Sequence, residues 1–139
     1  MSDIDYVGQL TERQKGHLPD HLNLEWLEAR LGFVKGRFKI RPHHLAPNTF
    51  LHAASVIALA DSACGYGCII SRPEGALNFT TIELKSNFLG TTREGGVAVE
   101  ANLVHGGRTT QVWDAVVKAE ATGKTIALFR CTQMLLYPK

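Results

Sequence analysis

The sequence predicts an α+β fold in which an antiparallel sheet curls around one long helix. Three observations lead there. The run from Thr49 to Ser71 is long and apolar on nearly every side, which marks a helix buried on most sides. After it come four segments with strand character and no second helical pattern, and such segregation gives an antiparallel sheet with a helix against it. A flat sheet cannot cover a helix that lacks a wet face, so the sheet is expected to wrap around it and a second chain to touch it.

The 139 residues fit one core, and we expect a single domain over residues 1–139 with residues 1–20 as an N-terminal helical extension. Hydrophobic residues make up 45% and charged residues 20%, a globular composition rather than a disordered one. The net charge of +2, with no Lys/Arg block, argues against nucleic-acid and membrane-surface partners. Three cysteines do not make a disulfide framework, and the acidic start is unlike a secretory leader, so a cytoplasmic protein is expected. The Thr49–Ser71 run is long enough for a membrane span, yet it holds Asp61 near its middle. A charge there costs at least about 2.5–3.5 kcal/mol. A core helix is the better reading.

Along the chain, Ser2 or Asp3 would cap a short helix with Ile4, Val7 and Leu10 on one face, ended by Pro19. The stretch His21–Phe33 is ambiguous: Leu22, Leu24 and Trp26 alternate, while Leu24, Leu27 and Leu31 have helical spacing. Phe33–Pro42 reads as a strand with one wet face, basic and apolar alternating from Arg37. Asn48 and Thr49 are the candidate caps of the long helix, which Gly65 and Gly67 weaken before Pro73 stops it. Strand segments follow over Ala76–Gly90, Val97–Gly107, Arg108–Ala121 and Lys124–Pro138, the last two joined by a Thr122-Gly123 hairpin turn.

No metal site is expected. His43 and His44 would point to opposite faces of a strand, and Pro19 breaks the helix that a His17/His21 pair needs. Cys64 and Cys68 read as buried thiols. Phosphate loops, dinucleotide fingerprints and nucleophile elbows are absent from the sequence.

Asp61 stands out, a carboxylate in the most apolar stretch of the chain. It is either satisfied at a wet edge of the helix or is a base or nucleophile at a pocket floor. The helix start is the second feature, because its first N–H groups are unpaired and small residues at Ala53 and Ala54 leave room for a carbonyl. Eight residues separate Ala53 from Asp61, about 12 Å at ~1.5 Å per residue. One helix therefore cannot offer both groups to one carbon, but two antiparallel copies can, which predicts a dimer with two interfacial sites.

Leu51-His52-Ala53-Ala54 followed by Leu59-Ala60-Asp61 resembles the His-Gly-Gly…Leu-Ala-Asp/Glu signature of hotdog-fold acyl-CoA thioesterases, with the same nine-residue step from histidine to acid. His105-Gly106-Gly107-Arg108-Thr109-Thr110 resembles a second segment of that family, and Asn87–Gly90 and Arg93-Glu94-Gly95 fit the strand and turn between. The likeness runs from about Leu18 to Tyr137, toward the phenylacetate-pathway (PaaI-like) and aryl-CoA members. It implies a hotdog fold, a strand over Leu22–Leu31, and assembly as a homodimer and further as a homotetramer.

The resemblance also assigns roles. Asp61 would be base or nucleophile and Ala53 the oxyanion donor, with Asn48 a polar contact near the acyl carbonyl. His52 would orient the helix start through a backbone hydrogen bond. Ala54, Arg93, Gly107, Arg108 and Thr109 would hold the substrate and its coenzyme A. No metal or redox cofactor is implied; coenzyme A enters as part of the substrate. Alanines at 53 and 54 replace the family's paired glycines, which keeps the N–H but tightens the approach. Asp at 61 is shorter than the Glu of some relatives, which leaves water-mediated and direct attack both open. The alternatives are a hotdog acyl-CoA hydratase or dehydratase and a non-catalytic acyl-CoA-binding module. A hydratase needs a histidine paired with Asp61, which the sequence does not supply, and a binding module has no need of Asp61.

Overall fold

A computed structural model describes residues 4–139. Two short helices, α1 (Tyr6–Arg13) and α2 (Leu18–His21), lead into strands β1 (Glu25–Arg30) and β2 (Phe33–Lys39). A 3-10 turn at Pro42–His44 precedes the central helix α3 (Ala53–Ile70). Strands β3 (Asn78–Phe88), β4 (Gly96–Gly106), β5 (Thr110–Ala119) and β6 (Thr125–Leu136) complete one six-stranded sheet, ordered β1-β2-β4-β5-β6-β3. All five pairings are antiparallel. The α+β reading and the curled sheet around one helix hold, while the strand expected over Leu22–Leu31 is confined to Glu25–Arg30.

Alternation explains the core. In β2, Val34, Gly36 and Phe38 point inward and are buried, and β4 does the same with Val97, Val99 and Ala101. The register continues one inner row across the sheet through Ser86, Phe129, Ala115, Ala101 and Val34. α3 lies on that face, burying Val56, Leu59, Ala60, Ala63, Cys64 and Cys68. It is the one described helix long and apolar enough to cross a membrane, and half of its residues are buried inside this fold. Gly65 and Gly67 do not end it; it runs on to Ile70. A Cβ at Gly67 would come within 2.7 Å of Trp113 Cζ3, so both glycines serve close packing of helix on sheet.

Three expectations at element ends need correction. The proposed caps Ser2 and Asp3 lie outside the described residues, and Asp5 caps α1 by accepting the Gly8 N–H at 2.9 Å. Pro19 does not end that helix, which stops at Arg13. Instead it sits at the start of α2, where a missing N–H costs nothing. Asn48 and Thr49 do not cap α3; His52 does. Thr49 sits at φ 70° in the preceding loop, and Asn48 Oδ1 accepts the Phe50 N–H at 3.2 Å.

His43 and His44 also depart from expectation, since they lie in the 3-10 turn with ring centroids 4.3 Å apart rather than on opposite faces of a strand. His44 is buried. Its Nδ1 accepts the Arg41 N–H, so Nε2 carries the proton and donates to Leu22 O at 2.6 Å. Burial holds this imidazole below the ordinary histidine range.

The two sheet edges differ. β1 is backed by α1, whereas β3 is exposed over most of its length, with Leu84 and Phe88 39% and 45% accessible on the helix side. The β5–β6 turn is the expected one, with Gly123 at φ 72°.

Candidate active site

His52 sets the geometry at the start of α3. Its Nδ1 accepts the Ala54 N–H at 2.9 Å, and its carbonyl takes the Ser55 and Val56 N–H groups. The Ala53 N–H is left with no partner among the described residues, in an exposed turn at the positive end of the helix. His52 is thus the N-terminal cap of the helix. Ala54 contributes a small surface rather than an N–H, since its amide is already engaged.

Asp61 lies two turns along the same helix. Its Oδ1 is buried without a hydrogen-bond partner, and burial pushes its carboxyl above the ordinary aspartate range. The satisfied wet-edge alternative therefore does not describe this oxygen. Next to it on the helix, the Cys64 thiol is held well above its usual range by a hydrogen bond with Cys131, by burial and by nearby negative charge including Asp61. Burial pushes Cys68 to about 12. These thiols stay protonated, which leaves Asp61 as the chemically available group on this face of α3. Among the described residues, no three His, Cys, Asp or Glu side chains converge as a metal site would require.

The remaining predicted residues fall into two places. The β3–β4 loop folds over the helix start, where the Arg93 guanidinium stacks on Phe50 at 4.3 Å, so Arg93, Asn48, His52, Ala53 and Ala54 share one end of α3. The Gly107-Arg108-Thr109 loop is elsewhere. It bounds a depression of about 420 Å³ with Ser71, Pro73, Leu103 and Gln111, and Ser71 is the C-terminal cap of α3. Roughly 27 Å of helix separates that end from Ala53 at ~1.5 Å per residue. The loop is fixed by Gly107 N–H to Thr110 O, by Leu135 N–H to Thr109 O, and by the Tyr137 hydroxyl, which donates to Arg108 O.

Two groups were not singled out from the sequence. Gln14 is buried between helix and sheet, donating to Leu24 O at 2.8 Å and accepting from Trp26 Nε1–H and the Tyr66 hydroxyl. Tyr66 is thus part of a structural network, edge-on to Trp26. Ser86 is the other; its Oγ is buried without a partner. Its signal was available only through the register, since nothing in the string IELKSNF distinguishes inward from outward once a bulge intervenes after Thr81.

Comparison with known proteins bears on the family and the fold. Residues 48–126, more than half of the chain, match the thioesterase superfamily. A 1,4-dihydroxy-2-naphthoyl-CoA hydrolase of Listeria monocytogenes is 26% identical over 115 residues, spanning 83% of this chain and 92% of the relative. The fold is shared with a mutant thioesterase from Pseudomonas aeruginosa (TM-score 0.90, 24% identity, 99% of this chain and 97% of that one). It is shared too with the E. coli PaaI protein from the phenylacetic acid degradation operon (TM-score 0.81, 21% identity, 94% of each chain). The match over residues 48–126 and the hydrolase relative decide the matter: the chain is a thioester hydrolase, a member of the thioesterase superfamily.

Proposed function

We propose that the protein hydrolyses an acyl-CoA thioester, with an aromatic or short- to medium-chain acyl group, to a free acid and coenzyme A. The observation that carries this reading is Asp61 Oδ1, buried and unpaired nine residues after the histidine that leaves the Ala53 N–H free. An unpaired carboxylate in an apolar helix is a cost to folding that activity repays by proton transfer at the carbonyl.

The active unit is a homodimer. Within one chain the amide and the carboxylate stand about 12 Å apart at ~1.5 Å per residue. Antiparallel pairing of two α3 helices brings the Ala53 amide of one protomer to the Asp61 of its partner, giving two sites. The open edge of β3 and its apolar inner side chains support that pairing, and a homotetramer would follow from stacking two such dimers.

In the reaction, the carbonyl oxygen of the substrate receives the Ala53 N–H. Asp61 removes a proton from water as the water oxygen bonds to the carbonyl carbon, and the tetrahedral oxyanion is held by the helix-end amide. Collapse breaks the carbon–sulfur bond, and the proton on Asp61 passes to the departing thiolate. Asn48 and His52 shape the carbonyl end. Ala54 leaves room for the acyl group, and Arg93 offers a cation to the coenzyme A phosphates. The Gly107-Arg108-Thr109 loop serves the outer reach of the same ligand. No group beyond the substrate's own coenzyme A is needed. The naphthoyl-CoA specificity of the Listeria relative supports the aromatic end of the range.

Thiol release from a panel of phenylacetyl, benzoyl, naphthoyl and aliphatic acyl-CoAs tests the reading. Hydrolysis of at least one, lost on the order of 10²-fold or more in Asp61→Asn, is the expected result. No thiol from any of them would overturn it and leave a hydratase or a binding module.

A further inference from the structure

Between α1 and the C-terminal end of α3 lies a depression of about 510 Å³. Its apolar walls are the buried Leu10 and Ala76 and the half-buried Ile69 and Ile70. Three charged side chains stand on its exposed rim. Arg13 comes from the last turn of α1, and Arg72 and Glu74 come from the connection between α3 and β3. A concave site of this size, with apolar walls and a few convergent polar groups, has the usual form of a small-ligand pocket.

The Arg72 guanidinium is held in place by backbone. Its Nε–H donates to Ala76 O at 3.0 Å and an Nη1–H donates to Ile69 O at 2.7 Å, so it is tied to both sides of the turn that leaves α3. Those bonds use two of its five N–H donors and leave three. Burial pushes the Tyr66 hydroxyl above the ordinary tyrosine range while the Arg13 charge opposes that shift, which puts Arg13 over α3. None of the ion pairs among the described residues includes Arg13, Arg72 or Glu74. Two cations against one carboxylate leave the rim with a single positive charge in excess. That excess suits one carboxylate, whereas a polyphosphate would bring several negative charges against it and against Glu74.

We propose that this depression is a second ligand site, one that takes an apolar monocarboxylic acid with its hydrocarbon or aryl body against Leu10, Ile69 and Ile70 and its carboxylate between Arg13 and Arg72. The planar guanidinium presents paired N–H donors to a carboxylate, which makes arginine the natural residue for that end of the ligand. The site is separate from the reacting carbon. Ile69 lies eight residues beyond Asp61 on α3, about 12 Å at ~1.5 Å per residue. An antiparallel pair of α3 helices that matches Ala53 with Asp61 overlaps only between those two positions, so the Ile69 end extends past the partner's helix. A bound acid bridges Arg13 and Arg72 and thereby fastens α1 to the far end of α3. The site stands independently of the thioester-hydrolysis reading, under which its ligands belong to the class of acids that the reaction releases.

The test titrates the full chain with phenylacetate, benzoate and octanoate, with phenylacetamide as the uncharged control, and follows backbone amide NMR signals. At least one acid should give saturable shifts at residues 6–13 and 69–76, and phenylacetamide should bind about tenfold more weakly than phenylacetate. Arg13→Gln and Arg72→Gln should each weaken acid binding about tenfold and leave thiol release from the best acyl-CoA unchanged. Should Arg72→Gln loosen the turn it ties, Arg13→Gln at an exposed helix end gives the same readout. Asp61→Asn should bind the acids as the wild type does. The proposal is overturned by shifts confined to the start of α3, by no shifts at all, by equal affinity for phenylacetamide, or by wild-type affinity in folded Arg13→Gln. Thiol release without these shifts sinks this inference alone. Shifts at residues 6–13 and 69–76 in a wild type that releases no thiol uphold it and overturn the hydrolysis reading instead.

Discussion

The Nδ1 of His52 accepts the N–H of Ala54 at 2.9 Å, and that one bond decides which amide at the head of α3 remains available. Histidine is an unusual cap because its ring must reach back over the first turn. It acts here as a shorter polar residue would, satisfying the second helical N–H and leaving the first without a partner among the described residues.

His52→Ala is expected to remove the cap at a cost of about 0.5–2 kcal/mol. Urea titration of the variant should show the midpoint fall with an unchanged slope, and His52→Asn should recover much of it. Activity in His52→Ala should fall as well, since the released Ala54 amide no longer fixes the turn that presents Ala53.

Asp61→Asn should lose hydrolysis yet gain stability near neutral pH. Burial raises the folded-state pKa of Asp61 above its unfolded value, so the folded chain binds this proton more tightly than the unfolded one. The ionisation penalty is absent below the unfolded pKa and complete above the folded one. The amide removes it, a gain present at pH 7 that disappears as the pH falls through the unfolded pKa. Thermal melts across pH check the sign. The same ionisation should give kcat/KM an acid limb displaced upward from the usual aspartate range.

Gly67→Ala pits two effects against each other. Alanine favours a helix interior by about 1 kcal/mol over glycine. Its Cβ, though, would enter the buried indole of Trp113, which has nowhere to move. Overpacking of that kind costs about 1–3 kcal/mol, so a net loss in chemical denaturation is expected. Gly65→Ala should be milder, because the Phe79 ring it meets is half-exposed and can swing aside.

Gln14→Ala should cost about 1–3 kcal/mol by stranding the Trp26 Nε1–H and the Leu24 carbonyl in the interior. Its particular signature should be faster hydrogen exchange and proteolysis in residues 6–21, because Gln14 ties α1 to β1 and, through Tyr66, to α3.

Most of the architecture was legible in the sequence for a plain reason: the α3 run is apolar all round and the strands alternate, and both patterns are forced by burial. The element ends were less so. Asn48 and Thr49 looked like caps because Asn and Thr usually are, but the chain turns through Thr49 at positive φ and the helix begins four residues on, where an unconventional cap stands. Asp61 was visible as a chemical contradiction in its own neighbourhood. Ser86 was not, because its meaning depends on a bulge after Thr81 that shifts which side chains face inward. Gln14 was invisible for a related reason: its three partners lie 10, 12 and 52 residues away.

The open edge of β3 also bears on how the protein behaves in solution. An eleven-residue strand with unmet backbone donors and acceptors and with Ile82, Leu84 and Phe88 uncovered is a template for any extended chain that meets it. A lone copy is therefore a precursor of aggregates as much as of ordered assemblies. Substitutions meant to produce a tidy monomer by roughening this edge need a charge or a proline along it, because truncating its apolar side chains would leave the backbone template intact.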